Sequence, residues 1–202
     1  MENNKITKEK AEELMSLSGK VRGAVLQTDA EYVRQKKGEK ALDKVEEELK
    51  KMGVPINYEN IKVTNWYPIG LRAISLLTIK KVFGWTNKEI EDMGNTAPKY
   101  SFVVKALVKY FITFERSYKE SPKYWEKHYL GGELKAADYD LKKKYYTIRL
   151  ENFKIHPILC IYLGGYFIRM GQLILKGENF RVKEIKCQFS GDPYHEFLVE
   201  WD

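Results

Sequence analysis

The sequence predicts an α+β fold, in which a helical layer packs on a small, mainly antiparallel sheet of about four strands. Two changes of pattern along the chain indicate this class. Apolar residues recur at helical spacing in the first half, as in residues 69–83, whereas residues 144–153 alternate with the period of a strand. The chain then closes with two alternating runs around the turn residues 190–193, which is the pattern of a β-hairpin.

Each predicted helix has a local signal at one of its ends. Gly19 follows the first helix, Thr28 and Asp29 can cap a long charged helix that ends before Gly53, and Thr86 opens a capping box. The predicted helices cover residues 8–17, 30–52, 66–83, 86–93 and 98–118, and a glycine-rich segment after residue 157. The predicted strands cover residues 133–139, 144–153, 181–189 and 197–201, and a turn centred on Asp140 follows the first of them. Residues 21–27 form a short strand or an extended segment, and residues 124–128 form a short helix or turn.

Length and composition indicate one folded domain. With 202 residues, of which 44% are apolar and 13% aromatic, the chain has enough material for one sizeable core. We expect a single domain over residues 1–202, in which residues 1–19 form an N-terminal helical extension and residues 20–202 a ligand-binding-like part. Cys160 and Cys187 lie far apart and the first residues are polar. A reducing, cytoplasmic location without a signal peptide is therefore expected.

Charge and hydropathy argue against a nucleic-acid partner and against a membrane span. The formal net charge is +7, but lysines alternate with glutamates in segments such as 39–51, which is typical of a solvated helix. The longest apolar run, residues 157–175, contains Arg169, whose charge is costly in lipid. We therefore expect neither a nucleic-acid partner nor a membrane span.

The C-terminal hairpin carries two metal-competent side chains, Cys187 and His195, on either side of its turn. The segment resembles the closing segment of the 4-vinyl reductase domain, in which two cysteines flank a glycine-containing turn. Here His195 takes the second cysteine position. Thiolate and imidazole both bind zinc or iron, so a shared metal is one interpretation. A buried cysteine and a histidine bonded to backbone are the other. Further metal ligands would come from Asp192, Glu196, His128, His156 or a partner chain.

The order of the elements extends this resemblance. Helices, a hairpin, a glycine-rich helix and a terminal hairpin resemble the superfamily of 4-vinyl reductase domains, heme-dependent nitric-oxide sensors and TRAPP vesicle-tethering subunits. The segment Arg22-Gly-Ala-Val-Leu before a charged helix resembles a bacterial branch of that superfamily. The resemblance covers residues 20–202 and implies a cavity that holds a ligand between the helices and the sheet.

Tyr145, Thr147 and Arg149 alternate along a predicted strand and therefore share one face. They resemble the Y-x-S-x-R motif with which the nitric-oxide sensors hold heme propionates, and a guanidinium beside two hydroxyls suits a carboxylate. The sensors place the axial histidine on the preceding helix, but residues 98–118 contain no histidine. Heme is therefore not expected, and Arg149 is expected to find an acidic or anionic partner. An ordinary strand with a polar face is the alternative.

Aromatic side chains are the remaining candidates for a ligand site. An apolar pocket would be lined by Tyr110, Phe111, Phe114, Tyr118, Tyr124, Trp125, Tyr129, Tyr162, Tyr166 and Phe167. We predict ligand contacts for Tyr110, Phe114 and Tyr166 in particular. For most of this set, a place in the core is the alternative, because aromatic stripes at helical spacing usually are core.

The chain has no nucleophile elbow, phosphate-binding loop or dinucleotide-binding motif, so neither catalytic residues nor an enzymatic activity are expected. The sequence predicts a small-molecule-binding sensory or regulatory domain without heme. Its ligand is apolar, amphipathic or carboxylate-bearing, and its partner is a signalling protein or a second copy in a homodimer. One alternative is a metal-binding reductase accessory protein that uses Cys187 and His195. The other is a TRAPP-like protein-interaction subunit that dimerises through its helices.

Overall fold

The structure is a computed structural model that describes residues 6–100, 113–175 and 179–202. The helices of this part are α1 (Lys8–Met15), α2 (Gly23–Lys37), α3 (Ala41–Lys51), α4 (Ile69–Phe83), α5 (Asn87–Tyr100), α6 (Phe114–His128) and α7 (Pro157–Leu175). The strands are β1 (Lys20–Arg22), β2 (Trp66–Pro68), β3 (Tyr129–Leu130), β4 (Glu133–Asp140), β5 (Tyr145–Glu151), β6 (Arg181–Lys186) and β7 (His195–Glu200). Two short 3₁₀ segments cover Tyr58–Asn60 and Gln188–Ser190.

The main sheet has four antiparallel strands in the order β4-β5-β7-β6. The predicted α+β class is thereby confirmed, as is the C-terminal hairpin of β6 and β7. Alternate residues of β5 face the helical layer, where Tyr146, Ile148 and Leu150 are buried. The register pairs Arg149 of β5 with Glu196 of β7 on the other face.

A second, three-stranded antiparallel sheet, in the order β2-β1-β3, is absent from the sequence prediction. The prediction extended a strand over residues 21–27, but β1 ends at Arg22 and α2 begins at Gly23. The backbone of Lys62 passes directly over that glycine, so that a Cβ on Gly23 would lie 2.1 Å from the Lys62 oxygen. Gly23 and Lys62 are far apart in the sequence, so the pattern of residues around Gly23 alone does not predict this contact.

The long charged helix predicted for residues 30–52 is two helices, α2 and α3. They are separated at Gly38, whose φ of +92° lies in the left-handed region that favours glycine. Helix α2 also begins earlier than predicted, so that Asp29 lies inside it instead of capping it. Asp29 is completely buried there.

Helix α5 joins two segments that the sequence prediction separated. It runs from Asn87 to Tyr100 through both Gly94 and Pro98. The predicted continuation over residues 101–112, which includes Tyr110, lies outside the described residues. Helix α6 then starts after Thr113, whose side-chain oxygen accepts a hydrogen bond from the Arg116 amide at 3.3 Å. It is one helix to His128, so the short segment predicted at 124–128 is its last turn.

Helix α7 is the central helix of the fold. Of the described residues, it is the one helix long and apolar enough to cross a membrane, and half of its 18-residue window is buried in the fold. Its small residues allow close packing on α5. A Cβ on Gly165 would lie 1.9 Å from the Glu91 oxygen, and one on Gly94 would lie 1.9 Å from the Tyr162 oxygen. Close backbone approach thus holds α5 against α7.

Candidate functional site

A cavity of about 820 Å³ lies between α2, α6 and α7, with β5 at its base. Helix α2 lines the cavity with residues about one turn apart, such as Ala24 and Thr28. Helix α6 contributes Ser121 and His128 from its facing side, and α7 contributes Tyr166. One face of each helix therefore forms a wall, and the volume falls in the range of small-molecule and cofactor sites.

The walls of this cavity are mainly apolar and aromatic. Trp125, Ile148 and Phe167 are buried side chains of the lining. The hydroxyl of Tyr146, which also lines the cavity, donates to the carbonyl oxygen of Phe167 at 2.7 Å. Burial raises the pKa of Tyr146 well above its usual value, so its hydroxyl stays neutral. Such a surface suits a mainly apolar ligand.

A buried ion pair lies in one wall of the cavity. Arg72 lines the cavity, and its Nε and Nη2 donate to the carboxylate of Asp29 at 3.0 and 3.3 Å. Its Nη1 donates to the hydroxyl of Tyr129, and the guanidinium lies 4.2 Å from the ring centroid of Tyr162. Burial acts to lower the pKa of Arg72, but the charge and hydrogen bonds of Asp29, together with Tyr129 and Tyr162, outweigh burial and raise it. Arg72 is therefore a fixed cation whose charge Asp29 compensates.

A second polar region of the cavity is formed by Arg22, Lys127 and His128. Arg22 donates from Nη1 to the carbonyl oxygen of Thr64 at 2.7 Å and from Nε to that of Lys127 at 3.3 Å. Nδ1 of His128 lies 2.9 Å from the carbonyl oxygen of Tyr124, so this nitrogen carries the proton. Burial, with added repulsion from nearby cations, lowers the pKa of His128 despite that hydrogen bond. The imidazole is thus held in its neutral form in a positive environment.

The three aromatic residues predicted to contact a ligand differ in their position relative to the cavity. Tyr166 lines the cavity. Phe114 is buried but lies outside the cavity lining, with its ring stacked on Tyr118 at a centroid distance of 5.4 Å. Tyr110 lies outside the described residues. Ligand binding by these side chains stays a prediction, and for Phe114 the core alternative has structural support.

Tyr145, Thr147 and Arg149 lie on the face of β5 that is turned away from the cavity. Arg149 Nη2 lies 3.4 Å from Glu196 Oε1, which confirms the predicted acidic partner. The Tyr145 hydroxyl donates to the carboxylate of Asp138 at 2.8 Å. The carboxylate-binding role predicted for these three residues therefore has no support from the cavity, whose base is formed by the alternate residues of the same strand.

A separate cluster of metal-competent side chains lies on the other side of α7. The ligand atoms of Cys160, Glu184, Cys187 and His195 lie within 4.8 Å of one another. The predicted approach of Cys187 and His195 is thereby confirmed. Nδ1 of His195 faces the cluster, 2.8 Å from Glu184 Oε1 and 3.5 Å from Cys160 Sγ. Burial raises the pKa of the Cys160 thiol well above its usual value.

Sequence reasoning missed two members of this cluster, Cys160 and Glu184. Glu184 stands three residues before Cys187, which is a weak local signal. Cys160 is remote in sequence and reaches the hairpin only because α7 packs on the sheet. A smaller cavity of about 260 Å³ opens beside both residues.

The additional metal ligands that the sequence suggested lie elsewhere. Asp192 accepts a hydrogen bond from the amide of Cys187 at 2.8 Å, and Glu196 pairs with Arg149 on the outer face of the sheet. His156 accepts from the amide of Ile158 at 3.1 Å, and His128 lines the large cavity.

The chain matches no protein-family model and no curated protein. Solved structures do share its fold. An H-NOX protein from S. oneidensis in the Fe(II)NO ligation state is 12% identical, with a TM-score of 0.64 over 90% of this chain and 99% of its own. An oxygen-binding H-NOX domain related to soluble guanylate cyclases is 13% identical, with a TM-score of 0.59 over 90% and 95%. A Cs H-NOX mutant that carries 4-cyano-L-phenylalanine is 14% identical, with a TM-score of 0.65 over 90% and 96%.

At this level of identity the likeness establishes the fold. The chain therefore has the H-NOX, or heme-NO-binding, fold, which confirms that part of the resemblance seen in the sequence. The likeness to 4-vinyl reductase and TRAPP proteins stays a prediction.

Proposed function

We propose that the chain is a sensory or regulatory domain whose large cavity binds a small apolar or amphipathic molecule. The observation that carries the proposal is the cavity of about 820 Å³, whose walls are mainly apolar and aromatic. Similar folds support it, since the names of two solved neighbours record an oxygen-binding domain and a bound Fe(II)NO group. A ligand that orders the facing sides of α2, α6 and α7 would change the surface offered to a partner protein.

An uncharged fluorescent probe, N-phenylnaphthylamine, tests this proposal. We expect saturable binding at one site per chain, with the fluorescence increase that follows transfer into an apolar environment. Val25 is half-buried on α2 and lines the cavity, so Val25→Trp places an indole in that space. This variant should weaken probe binding by about tenfold or more, which corresponds to roughly 1.4 kcal/mol.

Lys36→Trp is the matched control, because it adds the same side chain at an exposed position of the same helix. It should bind the probe like the unmodified chain. Equal binding by Val25→Trp and Lys36→Trp would place the probe outside the cavity and contradict the proposal.

Heme requires a separate test, because the names of two solved neighbours refer to heme distortion and to heme redox potential. Residues 98–118 contain no histidine, which speaks against heme, but His128 at the end of α6 lines the cavity. Its Nδ1 proton is fixed by the Tyr124 carbonyl oxygen, as in many metal-binding histidines, which leaves Nε2 as the ligand atom. His128 is the residue that would hold the heme iron, and bound heme would supply an iron that binds diatomic gases.

Hemin titration distinguishes heme from other ligands. If heme is the ligand, a Soret band should remain with the protein through gel filtration at one equivalent per chain. It should shift or disappear in His128→Ala. His156→Ala is the control, because His156 lies outside the cavity lining. If hemin separates from the unmodified chain during gel filtration, the ligand of the cavity is a molecule other than heme, as the sequence predicts.

A second proposed site, for a metal ion, is the cluster of Cys160, Glu184, Cys187 and His195. Four donors of the types that bind zinc lie within 4.8 Å of one another, and two of them, Cys160 and His195, are buried. Three protein segments supply these donors, namely α7, β6 with the residue after it, and β7. A bound metal would therefore fasten the hairpin to the central helix.

A further inference from the structure

Some of the positively charged side chains that line the large cavity have a carboxylate partner, and others do not. Arg72 is paired with Asp29 in a buried ion pair. Arg34 lies between two carboxylates, 3.7 Å from Glu31 and 3.8 Å from Glu39. Both cations therefore have acidic neighbours, and an incoming anion would compete with groups already in place.

Arg22 and Lys127 differ from Arg72 and Arg34 because they lack a carboxylate partner in the described part of the chain. They are in contact through the hydrogen bond from Arg22 Nε to the Lys127 carbonyl oxygen. Both line the cavity. The guanidinium of Arg22 lies 3.7 Å from the ring centroid of Trp66 and donates to the Thr64 carbonyl oxygen, so its plane is fixed.

We propose that the ligand of the large cavity is an amphipathic anion, whose charged head binds between Arg22 and Lys127 and whose apolar part fills the aromatic space. This inference rests on the proposed function and names the class of ligand. Arg22 uses two of its five N–H groups on backbone oxygens, and the remaining donors are available to a carboxylate or another oxyanion.

The proposed subsite differs from the carboxylate site that the sequence indicated. Tyr145, Thr147 and Arg149 are on the outer face of the sheet, where Arg149 already has Glu196. Arg22 instead precedes the first residue of α2 and Lys127 lies in the last turn of α6, so the subsite lies where two cavity walls meet.

Competition with N-phenylnaphthylamine tests the charge of the head group. Three displacing molecules with the same ten-carbon chain are compared below their micelle concentrations: decanoate, decanol and decyltrimethylammonium. We expect decanoate to displace the probe at roughly tenfold lower concentration than decanol, as is typical of one charge-assisted contact, and the cation to be weakest. Decyl phosphate in a fourth arm distinguishes a carboxylate preference from a general preference for oxyanions.

Two substitutions test which residues cause the preference for decanoate over decanol. Lys127→Gln and Arg22→Gln should each reduce the preference for decanoate over decanol to less than about threefold. Lys123→Gln is the matched control, because Lys123 is an exposed lysine one turn earlier on the same helix and lies outside the cavity lining. Lys127 is exposed as well, so its substitution leaves the fold intact even if Arg22→Gln does not.

The results separate the two proposals. If the probe fails to bind, the proposed function itself is wrong. If the probe binds but decanoate and decanol displace it equally, or if Lys127→Gln and Lys123→Gln behave alike, the cavity binds a ligand and the anionic subsite is wrong.

Discussion

Gly165→Ala is expected to lower the free energy of unfolding by about 3 kcal/mol, the largest loss that we expect from any single added methyl group on α7. A Cβ at this position would lie 1.9 Å from the Glu91 oxygen and 2.9 Å from the Asn95 amide nitrogen. Both atoms belong to the backbone of α5, which cannot rotate away like a flexible side chain. The helices must separate, and the polar contacts between them would lengthen. Urea denaturation followed by circular dichroism measures the change.

The adjacent residue provides the control. A Cβ on Gly164 would meet only Val182 Cγ1 at 3.4 Å, an ordinary contact distance. Gly164→Ala removes a flexible residue from a helix interior, which alone stabilises a helix by up to about 1 kcal/mol. We expect its midpoint in urea to stay the same or rise. Similar urea midpoints for Gly165→Ala and Gly164→Ala would contradict the close packing of α5 on α7.

The packing of α5 on α7 matters for both candidate sites. Cys160 and Tyr162 are two residues apart on α7 and so project on nearly opposite sides. Cys160 joins the cluster with Glu184, whereas Tyr162 lines the large cavity beside Arg72. A shift of α7 would therefore disturb both sites together, and the glycine contacts fix its position between them.

The sequence predicted those helices, strands and turns that depend on residues close together in the chain. Alternation predicted β5 and β7, and turn residues predicted the hairpin between β6 and β7. Asp140 was predicted at the centre of a turn, and its side chain indeed accepts from the amides of Lys142 and Lys143 at 2.9 and 3.0 Å. In each of these cases the stabilising contacts are short-range, so the sequence contains the information.

The candidate sites were predicted only in part because they depend on contacts distant in sequence. Cys187 and His195 come from one hairpin and were found, but Cys160 joins them from α7. Asp29 was interpreted as a helix cap, since its partner Arg72 is 43 residues away. His128 was placed in a short helix or turn, and its position on the cavity wall follows from the full length of α6.

One Zn²⁺ per chain is expected to bind at the cluster of Cys160, Glu184, Cys187 and His195, and Cys160→Ser, Cys187→Ser and His195→Ala should each abolish stoichiometric binding. Removal of one of four donors leaves an incomplete coordination shell. Metal content after gel filtration measures the effect. Because the ion binds the folded chain, excess Zn²⁺ should also raise the thermal midpoint of the unmodified protein, and a chelator should reverse the shift.

Cobalt substitution shows which side chains hold the metal. The chain has only two cysteines, so a thiolate-to-cobalt charge-transfer band must come from Cys160 and Cys187. We expect this band to weaken in each serine variant and to disappear in the double variant, because the thiolates are its source. His156→Ala should leave the band unchanged, since His156 binds the Ile158 amide outside the cluster. Equal cobalt content without a thiolate band in all variants would mean that metal binds elsewhere and that the four side chains have a purely structural role.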